Sequence, residues 1–144
     1  MNDFLIEQSF GYLINRAAHR LQYEILQAFK LHGFDITPQQ LAVLNRLWEQ
    51  DGLSQVEIAD MTFKDRPGIT RIVAVLERKG VIVRKPDEQD RRIVRVYLTQ
   101  KGRDYQGKLV PLARGVLEHG RAGITDEELK CMTLPLMKII ANLE

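Results

Sequence analysis

Arg91, Arg92 and Arg95 crowd into the run Pro86-Asp87-Glu88-Gln89-Asp90-Arg91-Arg92-Ile93-Val94-Arg95-Val96-Tyr97-Leu98-Thr99. Its second part alternates and is rich in β-branched and aromatic side chains, which is the pattern of a strand. With Val81-Ile82-Val83-Arg84-Lys85 before it, the run reads as a β-hairpin with guanidinium groups at its exposed tip. Such a tip is a poor catalyst and a good probe of a phosphate-lined groove, because guanidinium is always charged and matches phosphate geometry.

The surrounding charge has the same character. Residues 62–103 hold twelve Lys and Arg against five Asp and Glu, a net +7, while the remaining residues hold nine against fourteen, a net −5. Segregation of this kind is either the footprint of a polyanion or a solvated basic face. Catalytic constellations are lacking. His19, His32 and His119 are far apart in sequence with no metal-ligand spacing, and neither H-E-x-x-H nor G-x-S-x-G occurs. No Gly-rich phosphate loop follows a strand, so no cofactor is expected and the chain does not read as an enzyme.

The 144 residues, 44% hydrophobic, suit one compact domain or a core with helical extensions. No apolar run reaches the ~18 residues of a membrane span. The start Met1-Asn2-Asp3-Phe4-Leu5-Ile6-Glu7 shows neither a basic leader nor a long apolar stretch, so no export signal is expected. The single cysteine, Cys131, excludes an internal disulfide and fits a reducing cytoplasm.

The elements that position the arginines follow from periodicity and capping. From about Asp3 to Leu31, apolar residues recur at helical spacing, and Gly33 ends the segment. Thr37-Pro38-Gln39-Gln40 combines an N-cap, an early proline and a Gln partner, and opens a helix burying Leu41, Leu44, Leu47 and Trp48. Asp51-Gly52 stops it. Ser54-Gln55-Val56-Glu57 is a second capping box, for a short helix through Ile58, Ala59 and Met61. A third helix begins near Asp65 and turns Ile69, Ile72, Val73 and Leu76 inward before Gly80. Helix, short helix, helix and hairpin in this order make a winged helix-turn-helix, with Leu53 adding a minimal third strand. Beyond Thr99 a helix carries Tyr105, Leu109, Leu112, Val116 and Leu117, with a kink expected at Pro111. Thr125-Asp126-Glu127-Glu128 caps a last helix bearing Leu129, Met132, Leu136, Ile139, Ile140 and Leu143.

The expected architecture is mainly α (α+β). A DNA-binding core over 37–99 lies between helical arms at 1–36 and 100–144. Both arms carry apolar faces that a small core does not obviously cover. They either pack on their own core or meet a second copy, and the economical solution is a homodimer interface.

In order and spacing, these pieces resemble the MarR family of bacterial transcriptional regulators over nearly the whole chain. Asp90-Arg91-Arg92, an alternating strand, Leu98-Thr99 and Gly102 match the family's wing signature. Gln55-Val56-Glu57-Ile58-Ala59 resembles its second core helix, and Thr70-Arg71-Ile72-Val73 with Leu76-Glu77-Arg78-Lys79-Gly80 its recognition helix and exit. The resemblance implies a homodimeric repressor on double-stranded DNA. Its recognition helices would lie in successive major grooves of a pseudo-palindromic operator, with each wing in a minor groove. Asp65 then caps the recognition helix, and Lys64 and Arg66 meet phosphate. Pro67 offers an apolar surface to a thymine methyl, and Gly68 lets the backbone approach. Thr70 and Arg71 face the bases, with Arg71 bidentate to guanine. Arg92 is the minor-groove finger, Asp90 its orienting partner, and Arg91 and Arg95 are backbone contacts. Arg84 and Lys85 either join them or are solvated strand ends, and Asp65-Arg66-Pro67 would otherwise be only a helix start.

The resemblance also implies a small aromatic or anionic effector in a crevice between arms and core. Tyr12, Arg16, His19, Trp48 and Tyr105 are the candidate lining residues. Family members that sense oxidants carry their cysteine in the N-terminal helix, so Cys131 in the last helix reads as inert packing. The alternative function is a winged helix used for protein–protein contact.

Overall fold

The computed structural model describes residues 6–144. A 3-10 turn, Ile6–Gln8, leads into α1 (Phe10–Leu31). The chain continues through α2 (Pro38–Glu49), α3 (Gln55–Thr62), α4 (Arg66–Arg78), β1 (Ile82–Pro86), β2 (Val94–Leu98), α5 (Gln100–Gly120) and α6 (Asp126–Leu143). Helix-turn-helix plus hairpin, flanked by helical arms, is the expected architecture.

Helix starts follow the local chemistry. The Thr37 hydroxyl accepts from the Gln40 N–H while the Gln40 carboxamide accepts from the Thr37 N–H, both at 3.2 Å. Ser54 and Glu57 close the same reciprocal pair at 3.1 and 2.7 Å, as do Thr125 and Glu128 at 3.1 and 2.8 Å. Each such cap satisfies amides that the helix cannot, and contributes roughly 1 kcal/mol. The first helix differs from its expected start. Ser9 has extended backbone and its hydroxyl accepts from the Tyr12 N–H at 3.2 Å, so α1 opens only at Phe10. Asp3, the expected start, lies outside the described residues.

β1 and β2 pair antiparallel, from Ile82 opposite Leu98 to Pro86 opposite Val94. The third strand is a single bridge of Ser54 to Arg95, beside which the Val96 N–H donates to the Leu53 carbonyl at 2.9 Å. Asp51 reinforces this edge, accepting from the Leu98 N–H at 2.8 Å.

Buried side chains concentrate between Ile36 and Leu98, with Leu44, Leu47, Ile58, Ile69, Val73, Leu76 and Ile82 at the centre. The arms add little to this core. α1 gives it Phe29, α5 gives it Leu109, and no residue of α6 is buried. Removing a ring buried like Phe29 costs about 3–5 kcal/mol, so that one side chain is a firm attachment of α1. A second attachment joins core to α5, where the Trp48 indole N–H donates to the Gly102 carbonyl at 2.9 Å.

α5 runs unbroken through Pro111, so the expected kink does not divide it. α6 likewise contains Pro135, which its helical spacing hides. Each proline leaves the carbonyl four residues earlier without a helical partner. α6 lies beside α1 across an open groove of about 570 Å³ whose walls include Phe10, Leu13 and Leu21 of α1 and Met132, Leu136 and Ile139 of α6. The stripe that periodicity assigns to packing is therefore exposed in the single chain: Met132 is 48% and Ile140 53% accessible.

Candidate nucleic-acid interface

α4 owes its orientation to Ile69, Val73 and Leu76, which are fully buried. At 3.6 residues per turn the opposite face is Pro67, Arg71, Ala74 and Arg78. Arg66, Pro67, Thr70, Arg71 and Arg78 are all exposed. The Asp65 carboxylate accepts from the Gly68 N–H at 2.6 Å, which engages it as the helix cap. A Cβ at Gly68 would sit 2.6 Å from the same oxygen, so the Asp65 side chain would have to shift to admit one.

Two residues on this face escape sequence reasoning. Arg78 ends the outward stripe, although the sequence marks it only as part of the helix exit. Gln55 opens α3, and its carboxamide N–H donates to the Thr70 hydroxyl at 3.4 Å, which itself donates to the Arg66 carbonyl at 3.0 Å. The Gln55 Oε1 atom is buried without a protein hydrogen-bond donor. A polar residue at the first position of α3, one turn from exposed arginines, is the only signal the sequence carries for it.

At the wing tip, Asp90 accepts from the Arg92 backbone N–H at 3.1 Å and from its guanidinium through both carboxylate oxygens, each at 3.0 Å. The Arg92 side chain is nonetheless 90% accessible, so it is aimed without being covered. Arg95 departs from expectation. Its guanidinium turns back to the Asp87 carboxylate and to the Gly52 carbonyl at 3.0 Å, and only a third of the side chain is accessible. Asp87 also accepts from the Gln89 and Asp90 N–H groups at 3.0 Å. Arg95 thus braces the base of the wing, and its expected role on the DNA backbone is withdrawn because its charge is already met inside the protein. Arg84 is held similarly, two of its guanidinium nitrogens donating to one Glu77 carboxylate oxygen at 2.9 and 3.2 Å.

Pairing therefore thins the basic segment to a subset. Within residues 62–103, Lys64, Arg66, Arg71, Arg78, Lys85, Arg91, Lys101 and Arg103 have no carboxylate within 4.0 Å among the described residues, but Lys101 and Arg103 donate instead to the Lys79 and Leu98 carbonyls at 2.9 and 3.1 Å. The six left without either kind of partner belong to α4, the turn before it, or the wing.

The wing carboxylates are acid-sensitive in a definite sense. Hydrogen bonds from Arg95, then from the Asp90 amide, hold the Asp87 pKa below its usual value, and those from the Arg92 side chain and backbone do the same for Asp90. Both are depressed in the folded chain, so the bracing is complete above the ordinary carboxylate range and is lost as pH falls through the lowered values. The Nε–H NMR signals of Arg92 and Arg95 are expected to hold steady from pH 7 to about 5, and to shift and broaden only below about 4. Movement of those signals near pH 6 would contradict the assignment.

The expected effector residues are not brought together. Trp48 lines a cavity of about 500 Å³ with Arg46, Met61, Phe63 and Val110, whereas Tyr12, Arg16, His19 and Tyr105 do not line it. The Tyr105 ring packs edge-on against Phe34 at 5.3 Å between centroids. Tyr12, Arg16 and His19 ride on the part of α1 that projects from the core, ahead of its only buried residue, Phe29. Among the described residues no group of three His, Cys, Asp or Glu is placed to hold a metal ion. Among the same residues no helix is long and apolar enough to cross a membrane.

Comparison with known proteins gives this geometry a context. Residues 34–93 match the MarR family. The chain is 31% identical to YybA of Bacillus subtilis, described as an uncharacterized HTH-type transcriptional regulator, across 100% of this chain and 91% of that one. It superposes on MepR of S. aureus, solved as a complex with DNA, with a TM-score of 0.85 and 29% identity, covering 94% of this chain and 99% of that one. It also superposes on BpsR of Bordetella bronchiseptica, whose DNA binding is described as regulated by 6-hydroxynicotinic acid. There the TM-score is 0.86 and the identity 25%, over 96% and 97% of the two chains.

Proposed function

The chain belongs to the MarR family of transcriptional regulators, and from that footing we propose that it works as a homodimeric repressor on a pseudo-palindromic operator. It is a DNA-binding regulator; the proposal concerns how it binds and what releases it. α4 enters the major groove with Pro67, Thr70 and Arg71 toward the bases, while Lys64, Arg66 and Arg78 meet flanking phosphates. Arg92, aimed by Asp90, enters the minor groove, where narrow width concentrates negative potential, and Arg91 meets the backbone beside it.

The observation that carries this reading is that the cations of the basic segment that meet neither a carboxylate nor a carbonyl lie on α4, its leading turn and the wing. Phosphates supply the counter-charge that the protein withholds there. The open groove between α1 and α6 supports the dimer, since apolar walls of that extent are stabilised when a second copy covers them. Two copies related by a dyad present two α4 helices, which is why a symmetric site is favoured. The cavity beside Trp48 supports a small aromatic or anionic effector. It offers apolar walls from Trp48 and Met61, while the Arg46 guanidinium at its side is already paired with Glu49 at 3.2 Å. An effector that favours the DNA-free arrangement weakens DNA binding by the same factor that DNA weakens it.

Selection from a random duplex pool, followed by salt titration on the recovered sequence, tests the proposal. The expected result is an inverted repeat whose affinity falls about a thousandfold or more between 50 and 200 mM salt. Recovery of no preferred sequence, or a flat salt response, would overturn it in favour of a protein-contacting winged helix.

A further inference from the structure

Phe63 is the only described residue other than glycine with positive φ, at 56°. With ψ at 33° it lies in the left-handed helical region and ends α3, its N–H bonded to the Ala59 carbonyl. That backbone is strained for a residue with a bulky side chain, and glycine or asparagine meets it more easily. Aromatic side chains normally contribute through burial, yet the Phe63 side chain is 76% exposed. Its packing within the free chain therefore does not account for the residue.

Its neighbours indicate what covers it. The ring stands between the Trp48 cavity and a concavity of about 460 Å³ that it shares with Lys64, Asp65, Gly68 and Arg71 at the first turns of α4, where the Asp65 carboxylate is already engaged as the helix cap. Lys64 and Arg71 are among the cations with no carboxylate partner. A surface that satisfies both the cations and the ring must be anionic with apolar facets. Duplex DNA has this composition, since phosphates alternate with deoxyribose faces and the major groove displays thymine methyl groups.

We propose that Phe63 is a DNA-contacting residue, its ring pressed on an apolar facet of the duplex at the edge of the groove that α4 enters. The proposal rests on the DNA-binding reading above and adds to it a contact outside the helix. Phe63 supplies apolar contact where its neighbours supply charge, so its loss weakens binding without changing the salt slope.

The test compares the parent with Phe63→Asn and Phe63→Leu on the selected operator, alongside thermal midpoints. A second set of duplexes carries deoxyuridine in place of each thymine in turn. Phe63→Asn is expected to keep or raise the thermal midpoint, because asparagine tolerates the left-handed conformation, and to bind about five- to tenfold more weakly. Phe63→Leu retains part of the lost affinity. A deoxyuridine position that weakens the parent but not Phe63→Asn supports the proposal with the thymine methyl as the facet. Loss on Phe63→Asn without any such position supports it with the deoxyribose face. Parent-like affinity of Phe63→Asn overturns this proposal alone, whereas a parent that selects no sequence overturns the DNA-binding reading as well.

Discussion

Replacing Gly102 with alanine is expected to destabilise the chain by about 3 kcal/mol or more, the upper end of what overpacking costs in a tight interior. A Cβ at this position would stand 2.0 Å from the Val81 carbonyl oxygen and 3.2 Å from a Leu98 methyl. Neither wall yields cheaply. The Val81 carbonyl already accepts from the Thr99 N–H at 3.1 Å, and Thr99 caps α5 by accepting from the Gly102 N–H at 3.1 Å. The Gly102 carbonyl holds the Trp48 indole. Relief therefore means lifting the first turn of α5 off the wing, breaking several bonds together. Gly107→Ala is the internal control. Nothing lies within 4 Å of a Cβ there, and the same change in an unobstructed helix stabilises by up to about 1 kcal/mol. Urea midpoints of the two variants should move in opposite directions. Equal shifts would mean that helix propensity, rather than the close approach to Val81, decides both.

Arg71→Ala carries the second large effect, this time on binding. A guanidinium that reads a guanine edge with two hydrogen bonds contributes about 1–3 kcal/mol for each α4 engaged, and a two-fold complex feels the loss twice. The loss should be uneven across sequences: the preferred operator weakens most, and preference at one base pair in each half-site relaxes. Arg91→Ala makes the contrast, since a wing cation on phosphate weakens all sequences alike and lowers the salt slope by about one. Competition binding on a panel of single-base operator variants separates the two patterns. If Arg71→Ala weakens every duplex equally, the base-reading role passes to another residue of the outward stripe, with Thr70 the nearest candidate.

The two predictions draw on different kinds of legibility. Capping boxes at Thr37, Ser54 and Thr125 were readable because both partners lie within four residues, where sequence distance and spatial distance coincide. The wing was readable because alternation is a local property of a strand. Arg95 was not, because its partner Asp87 sits on the other side of the wing turn, and spacing alone makes an inward arginine look like an outward one. The candidate effector residues lie apart in the single chain for a related reason. Tyr12, Arg16 and His19 lie on a helix whose neighbours are set by packing, and α1 meets the core only near its C-terminal end. Phe63 carried no signal of any kind, since nothing in a run of residue types reveals which of them must take left-handed backbone to end a helix. Asp90 and Arg92 were paired from chemistry alone, and the geometry adds that both carboxylate oxygens are used.

The bond from Trp48 to Gly102 gives the chain an optical handle. The sequence contains one tryptophan, and its indole N–H is tied across the joint between α2 and α5. Indole emission shifts with the polarity around the ring and with its hydrogen bonding, so every photon from this residue reports on one place. A change of angle between arm and reading head alters that place directly, without an attached dye or a second tryptophan to deconvolve. The protein thus carries a single-site spectroscopic gauge at the joint through which movement of the arms would have to reach the DNA-facing helix.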